Sequence, residues 1–168
     1  DGADLITFQS ELTGTITLTA ELKIQDSVEI QGPGASVLSV SGDDMHRVFY
    51  LAQYTPSDLD VTIAGLKITG GSVTGNGGGI QSGADRLTLD SVEISGNVAG
   101  PLTTGQGGGL WASNGAMGLT IVDSVISGNA AKQGGGIFIG RLEGTLDIES
   151  SRISGNDAQD GAGMWIDS

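Results

Sequence analysis

Leu87-Thr88-Leu89-Asp90-Ser91-Val92-Glu93-Ile94-Ser95-Gly96-Asn97, with Gly107-Gly108-Gly109-Leu110 after it, is the stretch whose reading decides the fold. Three other segments align with it without gaps: VTIAGLKITGG from Val61, LTIVDSVISGN from Leu119 and LDIESSRISGN from Leu146. Their starts are 26, 32 and 27 residues apart. Each segment is followed by a glycine knot closing on an apolar residue: Ile80, Leu110, Ile137 and Met164. The distances from segment start to that residue are 19, 23, 18 and 18. The longest spacing comes from an insertion within Val98–Gln106, which contains Pro101. A repeat with this many coincident positions sets the architecture before any single residue does.

Within one unit the alternation specifies a strand. Val61, Leu87, Leu119 and Leu146 share a column, as do Ile63, Leu89, Ile121 and Ile148. Thr62, Thr88, Thr120 and Asp147 lie between them. Apolar, polar, apolar at period two is a strand with one face buried. Ile68, Ile94, Ile126 and Ile153 form a third buried column, beside the outward Thr69, Ser95, Ser127 and Ser154. No stretch carries the 3.6-residue period of a helix. Glycines break the strands at corners. A unit of about 27 residues with three short strands cannot bury its own apolar face, whereas a stack of such units can. The expectation is an all-β, right-handed parallel β-helix of about six coils, a rod about 29 Å long at ~4.8 Å per coil. The handedness follows the general preference for right-handed crossovers.

We read residues 1–168 as one domain, with 1–60 as irregular first coils and 61–168 as the four repeats. In the first part Ile16/Leu18, Leu22/Ile24, Val28/Ile30 and Leu38/Val40 alternate as strand pairs, separated by turns such as Gln31-Gly32-Pro33-Gly34. Ser41–Asp60 is expected to hold a corner excursion around a strand at Val48–Leu51. The chain opens at Asp1 and closes at Ser168 inside the pattern, and is expected to be a fragment of a larger protein.

Composition narrows the function classes. Thirty glycines among 168 residues, with three prolines and no G-X-Y period, exclude collagen. Twenty acidic against seven basic residues give a net charge of −13, which disfavours nucleic acid and anionic membrane surfaces. The absence of cysteine excludes disulfides, zinc-thiolate sites and thiol catalysis. No apolar run is long enough for a membrane-spanning helix.

The opening DGADLITFQSELTGTITLTAELKIQDSVEIQGPGASVLSVSG, the following MHRVFYL and the ISGN…GGGI units together resemble the segment just downstream of the CSLREA signature in bacterial secreted β-helix proteins. The resemblance covers nearly the whole chain, although the signature itself is absent. The ISGN/GGGI pairing is also similar to the repeats of polymorphic outer-membrane autotransporter adhesins. It implies a right-handed parallel β-helix carried outside a bacterial cell or on its surface, and no assigned chemistry.

The candidate site residues are few. Asn97, Asn129 and Asn156 close equivalent segments, with Gly71 breaking the series, and read as a structural amide ladder at a corner where Asn tolerates the left-handed region. The residue after each knot is Gln81, Trp111, Phe138 or Trp165. By alternation these point outward, so Trp111, Phe138 and Trp165 form an aromatic column suited to sugar-ring stacking or a protein contact. Asp90, Asp123, Asp147 and Glu149 are read as falling in no common column, and Lys67, Glu93, Val125 and Arg152 share one without consistent charge. Asp43/Asp44 are similar to half of a polygalacturonase site, whose accompanying motifs are missing. His46 stands without the partners of a triad or a metal site. No cofactor is expected, beyond adventitious calcium at acidic loops such as Asp157–Asp160.

The sequence therefore points to a non-enzymatic β-helix module: a spacer with an adhesive or assembly surface. Its expected partners are a glycan, a protein surface, or further coils or subunits at open ends. The alternatives are a carbohydrate-binding or carbohydrate-active β-helix and, from the column Thr62, Thr88, Thr120, an ice-binding array.

Overall fold

The structure is a computed structural model that describes residues 4–52, 59–100, 104–112 and 116–167. The described residues are all-β and form a parallel β-solenoid of about six coils. Three six-stranded parallel sheets run along it. The first sheet holds β1 (Asp4–Thr7), β4 (Val28–Gln31), β7 (Asp60–Ala64), β11 (Arg86–Asp90), β15 (Ala116–Val122) and β18 (Leu142–Glu149). The second holds β2 (Gly14–Thr17), β5 (Leu38–Ser41), β8 (Lys67–Thr69), β12 (Glu93–Ser95), β16 (Val125–Ser127) and β19 (Arg152–Ser154). The third holds β3 (Leu22–Ile24), β6 (Phe49–Leu51), β10 (Ile80–Ser82), β14 (Leu110–Ala112), β17 (Ile137–Ile139) and β20 (Met164–Ile166). Two short strands, β9 (Ser72–Val73) and β13 (Val98–Ala99), pair at the corner between the second and third sheets.

Each coil supplies one strand to each sheet, and the register matches the repeat. Leu87 lies beside Val61 and Leu119, and Leu119 beside Leu146. Ile94 lies between Ile68 and Ile126, with Ile153 next. Ile80 and Leu110 continue through Ile137 to Met164. These columns point into one core, where Ile63, Ile68, Ile80, Leu89, Ile94, Leu110, Ile121, Ile126 and Ile137 are all at 0% exposure. The end coils are less covered: Leu146, Ile148, Ile153 and Met164 are half-buried, because among the described residues no rung lies over them.

The first coils also follow the expected alternation, with one addition. Strand β1 precedes the pairs read from the sequence and lies in register with β4. Residues 53–58, which include Pro56 and Asp58, and 101–103, which include Pro101, lie outside the described residues.

Corners between the first two sheets use left-handed backbone in register. Gly65, Ser91, Asp123 and Ser150 occupy one column with φ between 48° and 60°. At the corner after the second sheet, the glycines Gly70, Gly96, Gly128 and Gly155 take positive φ. This corrects the expectation for the Asn column: the glycine before each Asn adopts the left-handed conformation, leaving the Asn free to aim its side chain along the axis.

The position of the core dictates a graded response to truncation. Ile94→Ala, fully enclosed by rungs on both sides, should lower stability by about 2–5 kcal/mol, and Ile153→Ala in the last coil by clearly less. Urea denaturation of the two variants against wild type measures the difference; equal losses would contradict the core position described.

Candidate functional site

The amide ladder is the most elaborate polar structure in the rod. Asn97 Oδ1 accepts a hydrogen bond from the Gly71 backbone N–H at 2.8 Å. Asn97 Nδ2 donates back to Ile68 O at 3.1 Å and forward to Asn129 Oδ1 at 2.9 Å, and Asn129 Oδ1 also accepts from the Asn97 backbone N–H. The unit then repeats. Asn129 Nδ2 donates to Ile94 O and Asn156 Oδ1, the Asn129 N–H donates to Asn156 Oδ1, and Asn156 Nδ2 donates to Ile126 O. Asn97 and Asn129 are buried at 0% and 1% exposure.

The ladder also explains why ISGN and GGG travel together. A Cβ at Gly79, Gly109 or Gly136 would lie 2.8–3.1 Å from the side chain of Asn97, Asn129 or Asn156, and 2.5–2.7 Å from the carbonyl of the glycine one coil on. The knot leaves out its side chains so that the next coil's amide can pass. These amides are fully occupied within the fold and leave little for a ligand.

The outward face of the third sheet carries the aromatic column, longer than the repeat alone indicates. Register places Lys23, Tyr50, Gln81, Trp111, Phe138 and Trp165 in one row. Tyr50 and Lys23 were hidden by irregular spacing in the first coils, although Phe49-Tyr50-Leu51 has the same buried, half-buried, buried pattern as β10 and β14. The Arg47 guanidinium lies over the Tyr50 ring at 5.3 Å. Arg47 also donates to Gly77 O, Asn76 O and Glu21 Oε2, fastening three successive coils. Trp111 and Trp165 are half-buried, but Phe138, flanked by both, is only 3% exposed. Phe138 faces outward and still offers almost no surface of its own. The Trp111 indole N–H donates to Gln106 Oε1 at 3.3 Å, and Gln106 Nε2 donates to Gln133 Oε1 at 3.0 Å. Its last three members therefore present two indole surfaces separated by a covered ring.

Polar faces elsewhere divide into columns. On the second sheet Thr17, Ser41, Thr69, Ser95, Ser127 and Ser154 form an unbroken hydroxyl row, two residues longer than the repeats indicated. On the first sheet Thr62, Thr88 and Thr120 are bounded by Glu29 and Asp147. Asp90 and Glu149 share a column two rungs apart, with Val122 between them, but the four acidic residues together do not form one column. Asp123 sits at the adjacent corner and Asp147 in the threonine column. Lys67 Nζ and Glu93 Oε1 form an ion pair at 2.8 Å. That hydrogen bond holds the Glu93 carboxyl below its usual range, against the opposing effect of burial and with help from the Ser95 hydroxyl.

His46 and Arg47 line an open groove of about 1080 Å³ with Glu21, Lys23, Ser72 and Thr74. It lies where the corner leading into the third sheet lengthens along the rod: residues 18–21, 42–48 and 70–79 in the first three coils. The short first corner leaves a step beneath the longer ones. Asp43 and Asp44 are exposed, both in left-handed backbone (φ 56° and 55°), and the Asp43 N–H donates to Ser41 Oγ. Asp157 and Asp160 pair through their backbones with Ala130 and Gln133. Among the described residues no three His, Asp or Glu side chains converge as a metal-binding group.

Compared with known protein families, curated proteins and solved structures, the chain matches none.

Two outcomes follow from this polar architecture. Asn129→Ala removes the acceptor of the Asn97 backbone N–H and of one Asn97 Nδ2 hydrogen, and the side-chain donor to Ile94 O, at about 1–3 kcal/mol per buried group left unpaired, and should lower the thermal midpoint sharply. An unchanged midpoint would mean the ladder contributes nothing. Glu93, with its carboxyl depressed in the fold, stabilises above the ordinary carboxylate pKa and loses that contribution as pH falls through the folded value. Glu93→Gln should cost at most about 0.5 kcal/mol at neutral pH, because the pair is one-third exposed and screened, with the difference vanishing in acid. Denaturation of both proteins across pH 3–7 reads it.

Proposed function

We propose that this chain is a non-enzymatic β-solenoid module of a larger bacterial surface or secreted protein of the CSLREA type, acting as a stiff spacer and as an adhesive or assembly surface. The supporting observation is continuity: three parallel sheets and one apolar core run the length of the described rod, so its faces keep fixed distances. Sequence supports the rest. The resemblance runs over nearly the whole chain, and a net charge of −13 keeps an extended rod apart from anionic surfaces. On this reading the molecule works by geometry, holding whatever flanks it at a set separation. Its partners on this reading are protein surfaces and further coils or subunits at the ends, and a glycan partner belongs to the second reading below. It requires no cofactor, and its place is outside the bacterial cell.

One observation favours a second reading. Trp111 and Trp165 keep accessible indole surface two rungs apart, about 9.6 Å along the axis, a spacing suited to sugar rings of one extended glycan. A panel of neutral and acidic polysaccharides separates the two. The spacer reading expects neither depletion of the protein nor release of reducing ends. Depletion abolished by Trp111→Ala and Trp165→Ala would replace it with a glycan-binding module, and turnover with an enzyme.

A further inference from the structure

Arg47 is fixed in place by the fold alone. Its Nε and Nη2 donate to the Gly77 and Asn76 carbonyls, its guanidinium lies over the Tyr50 ring, and its side chain is only 13% exposed. These partners belong to the second and third coils, each with a rung on both sides, so interior packing sets the position of the charge. The Arg47 Nη1 then donates to a carboxylate, Glu21 Oε2, and Lys23 Nζ stands 3.6 Å from the other oxygen of the same group. Two cations thus share one carboxylate, which leaves the trio net positive. All three line the open groove of about 1080 Å³, whereas Asp43 and Asp44, on the same corner as Met45, stand outside its lining. At physiological salt the Debye length is about 8 Å, so a ligand in the groove meets these nearby cations rather than the overall charge of the rod.

The groove therefore already holds a carboxylate, supplied by the chain itself. A guanidinium with an ammonium beside it is matched to that group. Glu21 is 27% exposed and Lys23 is 60% exposed, and pairs so open to water hold weakly. A tethered carboxylate nevertheless outcompetes a free one through its effective concentration, and yields to a ligand bringing several carboxylates at once. The shape narrows the ligand further. The lining runs from the first coil to Gly100 in the fourth, about 14 Å at ~4.8 Å per rung, the length of about four extended residues. Met45, 65% exposed, and Val73 offer aliphatic surface to side-chain stems, and the Ser72 and Thr74 hydroxyls can meet a peptide backbone. No phenyl or indole face lines the groove, so a sugar ring finds no stacking surface in it.

We propose that this groove docks an extended acidic peptide segment of a partner protein, whose carboxylates take Arg47 and Lys23 from Glu21, and that Glu21 screens out lone carboxylates. The inference rests on the assembly-surface reading above and names the chemistry of its partner.

The probe is acetylated tetraglutamate amide, with the tetraglutamine peptide as its uncharged counterpart. Each is titrated into the 168-residue chain while NMR follows the Arg47 Nε–H and the Lys23 amide, and circular dichroism establishes that every variant is folded. Both signals should move with tetraglutamate and stay with tetraglutamine, and acetate at equal carboxylate concentration should leave wild type unshifted. Glu21→Gln should tighten tetraglutamate binding about two- to five-fold, and Lys23→Gln added to it should weaken binding by a similar factor, the size of an exposed ion pair. A folded Glu21→Gln chain that binds no more tightly than wild type overturns the proposal. So does equal binding of tetraglutamine, a wild type shifted as strongly by acetate, or an oligogalacturonate that binds better than the peptide and so assigns the groove to acidic glycans. Such failures leave the spacer reading standing, because the polysaccharide panel with Trp111→Ala and Trp165→Ala decides that on a different face.

Discussion

In-register stacking of like side chains is the constraint from which the rest of this molecule follows. A parallel rung places each residue about 4.8 Å from its counterpart, so one choice of residue type is imposed on a whole column. Branched aliphatic residues satisfy that constraint in the interior, where a column of isoleucines packs on itself without polar atoms to satisfy. Amides satisfy it at the corner, because an Asn carries both donor and acceptor and can bond to an identical neighbour. Like charges cannot satisfy it. Where charge enters an outward column it alternates or is diluted, as Lys67 beside Glu93 and Val122 between Asp90 and Glu149 illustrate.

Most of the architecture from Val61 onward was legible, because stacking leaves its trace directly in sequence as recurrent columns. Legibility failed where the constraint is relaxed. Strand β1 escaped notice because Asp4 stands where the later rungs carry Val or Leu, so the alternation is broken at its first position. Tyr50 and Lys23 were missed from the outer row because residues 42–48 and 18–21 shift the spacing that aligned the later members. The burial of Phe138 depends on the bulk of Trp111 and Trp165 beside it, a property of the assembled column rather than of any one strand. Alternation revealed the direction of these side chains and not their accessibility. At the Asn column the left-handed backbone belongs to the glycine before each Asn, which residue preference alone does not reveal.

For the candidate site this distinction is decisive. The groups that look chemically rich in sequence are largely consumed by the fold: the amides by each other, Arg47 by three carbonyl or carboxylate oxygens and a ring, the Trp111 N–H by Gln106. What stays accessible is shape and periodicity rather than a convergent set of reactive groups. A surface of that kind suits recognition by repetition, in which a partner meets the same side chain again one rung further on.

The unequal corners carry a different implication. Residues 18–21, 42–48, 70–79, 128–136 and 155–163 all join the same two sheets, at lengths from 4 to 10, without disturbing either ladder. The chain thus separates heritable variation into two compartments: rungs, where each change propagates to neighbours, and corners, where length is nearly free. Foreign peptides grafted into adjacent corners would emerge as parallel loops at a constant vertical pitch, which makes the rod a ready chassis for arrayed display.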